Sequence, residues 1–207
     1  MNKPILILLS SFILWNGCII YDEREEEIEE TNKSTAFILC EGNFGNSNAA
    51  LWSFSPEDST SEILILGGTS LGDVAQSLSA DDNKLYVVVN NSHKIEVLSV
   101  GEEISHEGTI TFNNASPRYL VTNGTTGYVS CWNLNAILVL DLTNQAVVDT
   151  ISIPGMPEKM ILNGTSLYVS IPSHSDWSSA NLVLEISTIT KTIDQTFEVI
   201  SGPNDME

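Results

Sequence analysis

Two tryptophans stand among polar neighbours, Trp132 in Trp132-Asn133-Leu134-Asn135 and Trp177 in Ser173-His174-Ser175-Asp176-Trp177-Ser178-Ser179. An indole placed there has little core to fill. It can stack on a planar or sugar-like ligand, with Asn133 and Asp176 beside it as hydrogen-bonding groups, or it can cap the end of its own structural unit. His93, in Asn90-Asn91-Ser92-His93, and His174 could ligate a metal or hydrogen-bond a ligand. Neither belongs to a tight His-x-His or His-carboxylate pattern, so surface polarity is the simpler account. Phe44 lies in a third polar run, Glu41 to Asn48. Arg118 and Lys159 closely follow Pro117 and Pro157, and could meet an anionic group or pair with nearby carboxylates. Asp81-Asp82-Asn83 hints at calcium, yet turn chemistry explains it. The chain lacks a Gly-x-Ser-x-Gly elbow, a His-Glu-x-x-His pair and a phosphate-cradling glycine loop. The sequence therefore predicts a non-catalytic chain that binds a ligand without cofactor or metal.

What must position these residues is a repeat. Between Pro117 and Pro157 run four short apolar segments: Pro-Arg-Tyr-Leu-Val, then Gly-Tyr-Val-Ser-Cys, then Ala-Ile-Leu-Val-Leu-Asp-Leu, then Val-Val-Asp-Thr-Ile-Ser-Ile. The first two are joined at Asn123-Gly124, a pair that favours the positive φ of a tight hairpin. The pattern returns after Pro157 with Asn163-Gly164, and Tyr86, Tyr128 and Tyr168, each followed by valine, fall 42 and 40 residues apart. Four strands per repeat at that period predict an all-β fold, a β-propeller of four-stranded antiparallel blades, with about four blades present in residues 36–207. The second strand of each repeat is apolar on both parities, as in Tyr86-Val87-Val88-Val89, so both faces must be covered, which stacked blades achieve. In such a meander the loops between second and third strands emerge on one face with the links between blades. Phe44, His93, Arg118, Trp132, Asn133, Lys159, His174, Asp176 and Trp177 all fall on those segments, and tight turns mark the other face.

The chain has 207 residues, 42% hydrophobic, with a formal net charge of −19 from 8 Lys+Arg against 27 Asp+Glu. That supports a buried core and disfavours nucleic acid, a polyanion that this field repels. Cys40 and Cys131 occupy equivalent positions a blade apart, too far for a disulfide, and are expected as buried thiols between blades.

Met1-Asn2-Lys3 and the apolar run Pro4 to Trp15 fit an export signal and are too short to span a bilayer. Leu14-Trp15-Asn16-Gly17-Cys18 resembles the cleavage box of bacterial lipoproteins, which implies a signal peptide over residues 1–17 and a lipid on Cys18; a cut elsewhere and an uncleaved anchor are the alternatives. Residues 18–35 then form a tether whose stretch Asp22 to Glu30 carries seven carboxylates in nine residues and stays extended by self-repulsion. At the other end, Gly202-Pro203-Asn204-Asp205-Met206 aligns with Met156-Pro157-Glu158-Lys159-Met160, the start of an inner strand. Three readings stay open: part of a seven-bladed ring, a closed ring of four blades, or two copies completing each other.

The segment Gly127 to Asn144, followed by Val-Val-Asp-Thr-Ile-Ser-Ile-Pro-Gly-Met-Pro, resembles the YVTN-type propeller repeat, and the likeness spans about residues 36 to 206. The Glu41-Gly-Asn-Phe-Gly45 and Ser173-His-Ser-Asp-Trp177 loops look like those of surface-lipoprotein propellers of Bacteroidota. Asp58-Ser-Thr and Asp149-Thr-Ile look like the O-glycosylation acceptors of such proteins, and an acidic stretch after the lipidated cysteine looks like their signal for export to the outer face of the outer membrane. Some members of that group capture cobalamin and pass it to a TonB-dependent outer-membrane transporter. The resemblance implies a small-molecule ligand, cobalamin first, that transporter as partner, a membrane reached through the lipid anchor, and Phe44, Trp132, Trp177 and His174 as contacts. A protein- or glycan-binding scaffold and an oxidoreductase with a quinone-type cofactor are the other readings that the architecture permits.

Overall fold

A computed structural model describes residues 35–64, 70–101 and 103–206. The expected signal at 1–17, Cys18, all of the acidic tether but Thr35, and Ile65, Leu66 and Thr69 of the first repeat lie outside the described residues. The described residues form strands and turns without a helix: β1 (Ala36–Cys40), β2 (Ala50–Ser55), β3 (Thr60–Leu64), β4 (Ala75–Asp81), β5 (Lys84–Val89), β6 (Lys94–Val100), β7 (Ile104–Thr111), β8 (Pro117–Asn123), β9 (Thr126–Cys131), β10 (Ala136–Asp141), β11 (Ala146–Ser152), β12 (Met160–Asn163), β13 (Ser166–Ser173), β14 (Ser179–Ser187) and β15 (Ile193–Glu198). They pair antiparallel in sequence order as one three-stranded sheet, β1 to β3, and three four-stranded sheets, β4 to β7, β8 to β11 and β12 to β15. These are the blades of a propeller, with β4, β8 and β12 as neighbouring inner strands.

The repeat sets the register. Tyr86 faces Val97, Tyr128 faces Val139 and Tyr168 faces Glu185. Three apolar clusters fill the gaps between consecutive sheets. Leu51, Val87 and Leu98 lie between the first and second, Tyr86, Val88, Val129 and Cys131 between the second and third, and Tyr128, Ile137, Val169 and Leu184 between the third and fourth. Val87 and Val88 point to opposite faces and are both fully buried, as a strand packed on both sides requires. Each such side chain contributes about 1.5–3 kcal/mol by leaving water.

Two expectations need correction. Asn123 pairs with Thr126 and Asn163 with Ser166, so the two-residue turns are Gly124-Thr125 and Gly164-Thr165, one position later than the Asn-Gly reading. Only the glycine in each has positive φ, +59° and +60°, which is the hairpin form that puts glycine first. Cys131 is buried as expected, and burial pushes its thiol up to about 12. Cys40 is exposed. Its strand turns Phe37 and Leu39 toward the second sheet, so the alternate residues Ile38 and Cys40 look away from it, onto a face that no described sheet covers.

Candidate functional site

Two inner strands begin with a break in the ladder. The β4–β5 register shifts between Ala75 and Ser77, leaving Gln76 unpaired, and the β8–β9 register shifts between Pro117 and Leu120, leaving Arg118 and Tyr119 unpaired. A bulge of this kind re-aims the side chains it carries. Buried hydroxyls serve the backbone where β8 and β12 begin. Ser130 Oγ accepts the Tyr119 N–H at 3.0 Å and donates to the Tyr119 carbonyl at 3.4 Å, and Ser170 does the same for Lys159 at 3.1 and 3.3 Å. Both serines are fully buried, and each hydroxyl gives a partner to a backbone N–H at the start of an inner strand.

So directed, three repeat-equivalent residues of three successive blades converge. Arg118 Nε donates to Glu158 Oε1 and Oε2 at 3.2 and 3.0 Å, and Nη2 donates to Oε1 at 2.7 Å. Nη1 donates to Gln76 Oε1, and Ser77 Oγ donates to the Arg118 carbonyl at 2.7 Å. Both charges are largely withdrawn from water, with side-chain exposures of 15% for Arg118 and 7% for Glu158. The guanidinium carbon lies 3.9 Å from the centre of the Trp132 ring. Trp132 in turn meets Trp177 edge to face, with centroids 5.6 Å apart at 85°. The result is a supported aromatic platform: a pinned cation under one indole and a second indole, 66% exposed, beside it.

The loop that carries Trp177 is tightly turned. His174 donates its N–H to the Ser178 carbonyl and Trp177 donates to the His174 carbonyl, each at 2.9 Å. Asp176 Oδ1 accepts the Ser178 hydroxyl and backbone N–H, which hold its carboxyl below the usual carboxylate range. Trp177 adopts φ +68°, an unfavourable region for a bulky side chain. The buried Trp132 Nε1 and Asn135 Oδ1 have no hydrogen-bonding partner among the described residues.

The other expected site residues divide. Lys159 is the equivalent of Tyr119 one blade on; its Nζ lies 5.0 Å from the Tyr119 ring centre and 3.3 Å from Asp205. Arg118 and Lys159 are thus both engaged by carboxylates. Asn133 is exposed and donates to Asn114 Oδ1 at 3.1 Å. His93 braces the structure: its Nδ1 accepts the Ser116 N–H at 3.1 Å, tying one blade's loop to the link before the next. His174 is exposed. Phe44, 78% exposed, stands on the first sheet's loop, two sheets from Trp132 and apart from the aromatic pair. Its loop is clamped by the buried Asp73, whose carboxylate accepts the Gly45 N–H at 2.9 and 3.1 Å and the Asn91 amide at 2.5 Å. Sequence reasoning placed Glu158 on the links of this face without pairing it with Arg118, and left out Gln76 and the two serines. The available signal was the polar residue in Tyr128-Val129-Ser130 and Tyr168-Val169-Ser170, repeated inside otherwise apolar strands.

Open grooves among the described residues lie on the opposite face, at the mouths between blades. One of about 560 Å³ is lined by Glu62, Val100 and Ile104, and one of about 420 Å³ by Lys84, Tyr86 and Leu142. Asp82 takes φ +49° at the β4–β5 turn, as turn chemistry requires. No group of three or more His, Cys, Asp or Glu among the described residues is placed to hold a metal.

No protein-family model matches the chain, and no curated protein matches it. Solved structures match its fold. A putative 6-phosphogluconolactonase from Bacteroides fragilis superposes with a TM-score of 0.59 at 18% identity, over 84% of this chain and 57% of that one. A protein from Lactobacillus plantarum gives 0.59 at 17%, over 78% and 54%. Virginiamycin B lyase from Staphylococcus aureus gives 0.55 at 14%, over 80% and 61%. The chain therefore spans a little over half the length of these structures, and identities this low speak for the fold alone. The expectation of a non-catalytic chain, drawn from missing sequence motifs, is overturned: the lactonase and the lyase are enzymes built on this architecture, so the fold does not speak against catalysis.

Proposed function

We propose that this chain is a ligand-binding β-propeller of the cell surface, related to the YVTN-type surface lipoproteins of Bacteroidota. In this reading Cys18 carries the lipid, the acidic tether holds the propeller off the outer membrane, and the loop-bearing face takes a small ligand and passes it to a TonB-dependent transporter. The observation that supports the site is the stack of Arg118, Trp132 and Trp177, an aromatic surface fixed by an ion pair across two blades. A largely exposed tryptophan with that much support beneath it is costly to maintain for the fold alone.

Cobalamin is the first ligand to try, on the strength of the loop resemblance. Titrating cyanocobalamin into the full chain should shift its visible spectrum and quench the tryptophan fluorescence; a flat titration on both channels removes cobalamin. Cys18→Ala should move the protein from the membrane to the soluble fraction, and protease added to whole cells should cleave the wild type. Retention of C18A in the membrane would overturn the anchor. A second reading, a surface module that binds glycans, is favoured by one feature: Trp177 is largely exposed and stands in a loop among His174, Ser175, Asp176 and Ser178.

A further inference from the structure

The first and fourth sheets each leave open a face that the sheets between them bury, and we infer that these two faces are the halves of one contact, closed by a second copy of this chain.

The repeat shows what each face lacks. On the first sheet Ile38 and Trp52 stand opposite each other where the third and fourth sheets carry Val129 with Leu138 and Val169 with Leu184, pairs buried against the blade before. On the fourth sheet Val183 and Phe197 stand where the second and third carry Ile95 with Ile110 and Ile137 with Ile151, buried against the blade after. Ile38 is 49% exposed and Phe197 40%. In a four-bladed ring closed on itself the two faces would cover each other, so the single chain is an open arc. One end presents the side that meets a preceding blade and the other the side that meets a following blade. Two arcs therefore join head to tail at both ends, and such a contact closes when its rotation does. Four blades from each copy make eight, within the range that propellers use.

One pair of positions points to this chain's own first sheet as the partner of its fourth. The residues opposite Phe37, Tyr86, Tyr128 and Tyr168 face the following blade, and those just before them face the preceding one. Across the first interface the matched pair is Ser53 and Glu96, both polar. Across the second it is Val97 and Leu138, and across the third Val139 and Leu184, all apolar. The fourth sheet offers Glu185, whose Oε1 accepts the Ser166 and Tyr168 hydroxyls at 2.8 and 3.1 Å. A wholly apolar partner would strip water from that carboxylate and return nothing. The matching position on the first sheet is Trp52, an apolar body that carries an N–H donor.

The strands agree with the side chains. Among the described residues β1 pairs with β2 alone, so the first sheet lacks the inner strand that the other three have. After β15 the chain turns in as if to begin one: Asn204 is the repeat equivalent of Gln76, Arg118 and Glu158, and Asp205 reaches Lys159 Nζ at 3.3 Å. Residues 202–206 and the open edge of β1 are thus complementary parts of one blade. In the register that sets Pro117 opposite Cys131, Pro203 falls opposite the partner's Cys40.

The test uses the full chain with Cys18→Ala, at physiological ionic strength so that the net charge of −19 is screened beyond about 8 Å. Light scattering of the concentrated protein should give twice the chain mass. Cys40, open in the dilute single chain, should then react with a thiol reagent about tenfold more slowly or less. Mild oxidation after adding Pro203→Cys should yield a disulfide-linked species of doubled mass that disappears with Cys40→Ser. Trp52→Glu, which sets a like charge against Glu185, should leave a single chain whose melting temperature matches that of the dilute parent. A single chain at every concentration overturns the proposal. So does a Cys40–P203C link within one chain, which would mean that the arc closes on itself, or a ladder of higher multiples, which would mean that the contact does not close. A doubled mass that survives Trp52→Glu places the contact on other surfaces and overturns it as well.

Discussion

The guanidinium carbon of Arg118 lies 3.9 Å from the centre of the Trp132 ring while Glu158, forty residues later, grips the same guanidinium by both carboxylate oxygens. An ion pair so far withdrawn from water is not justified by its own energy, since desolvation offsets much of the attraction. It makes sense as a brace, because the planar group can hold a carboxylate at its edge and an indole on its face at once.

Removing one member of that pair leaves the other buried and alone. Arg118→Ala should therefore destabilise the chain by about 3 kcal/mol or more, and Glu158→Ala by a similar amount. The double variant should lose clearly less than the sum, a coupling that urea melts of the four proteins can measure. Arg118→Lys keeps the charge but loses the fork and the stack, so it should restore only part of the loss; full restoration would show that charge alone matters.

Ser130→Ala and Ser170→Ala each remove the hydroxyl that serves the backbone at the start of an inner strand. Each should cost about 1–3 kcal/mol in urea unfolding, because a backbone N–H is left without a partner. The two act in different blades with no shared partner, so the losses should add within about half a kcal/mol. Neutral behaviour of both would mean that those N–H groups are satisfied another way.

Glu96, buried on β6, shows a pH dependence whose sign can be worked out. Burial pushes its carboxyl up, but hydrogen bonds from Lys94, Thr109 and His106 outweigh this and hold it below its ordinary value. A folded-state value below the unfolded one adds stability that is present above the ordinary glutamate value of about 4.3 and lost as pH falls through the lower, folded value. Glu96→Gln should thus be less stable than wild type at neutral pH, with a gap that narrows on acidification below the ordinary glutamate value. A gap that stays constant across that window would remove the ionised carboxylate from the account.

Cys40 and Cys131 should separate under a thiol reagent. Cys40 is exposed and should be modified in the folded chain within the first minutes, whereas Cys131, buried and with its thiol pushed up to about 12, should react only after unfolding. Peptide mapping after labelling with and without urea distinguishes them. Protection of Cys40 in the native chain would show that the outward face of the first sheet is covered in solution.

The repeat was legible because burial on both faces leaves a mark that composition cannot hide. Tyr86, Tyr128 and Tyr168 head strands apolar on both parities, and their spacing announces one module made several times. The loop-bearing face followed from the same alternation of long and tight connections. Turn register was off by one at Asn123 and Asn163 because hairpins with glycine in either central position share the same dipeptide. Cys40 was misjudged because equivalence of position does not guarantee a neighbour on the same side. Gln76 and Glu158 went unnoticed as partners because nothing local to either residue points at an arginine some forty residues away.

Taken alone, the order of residues determined which segments become strands, how often the module returns, and that Trp132 and Trp177 would stand in exposed connections. Those are consequences of short-range pattern: two-residue alternation, turn residues, and the need to keep apolar side chains dry. Only the stacking of one blade on the next decided that the two indoles touch and that Arg118 faces Glu158. The reason is geometric. Contacts between blades join residues a whole repeat apart, and their aim is set by breaks in the inner strands, which a linear pattern does not encode.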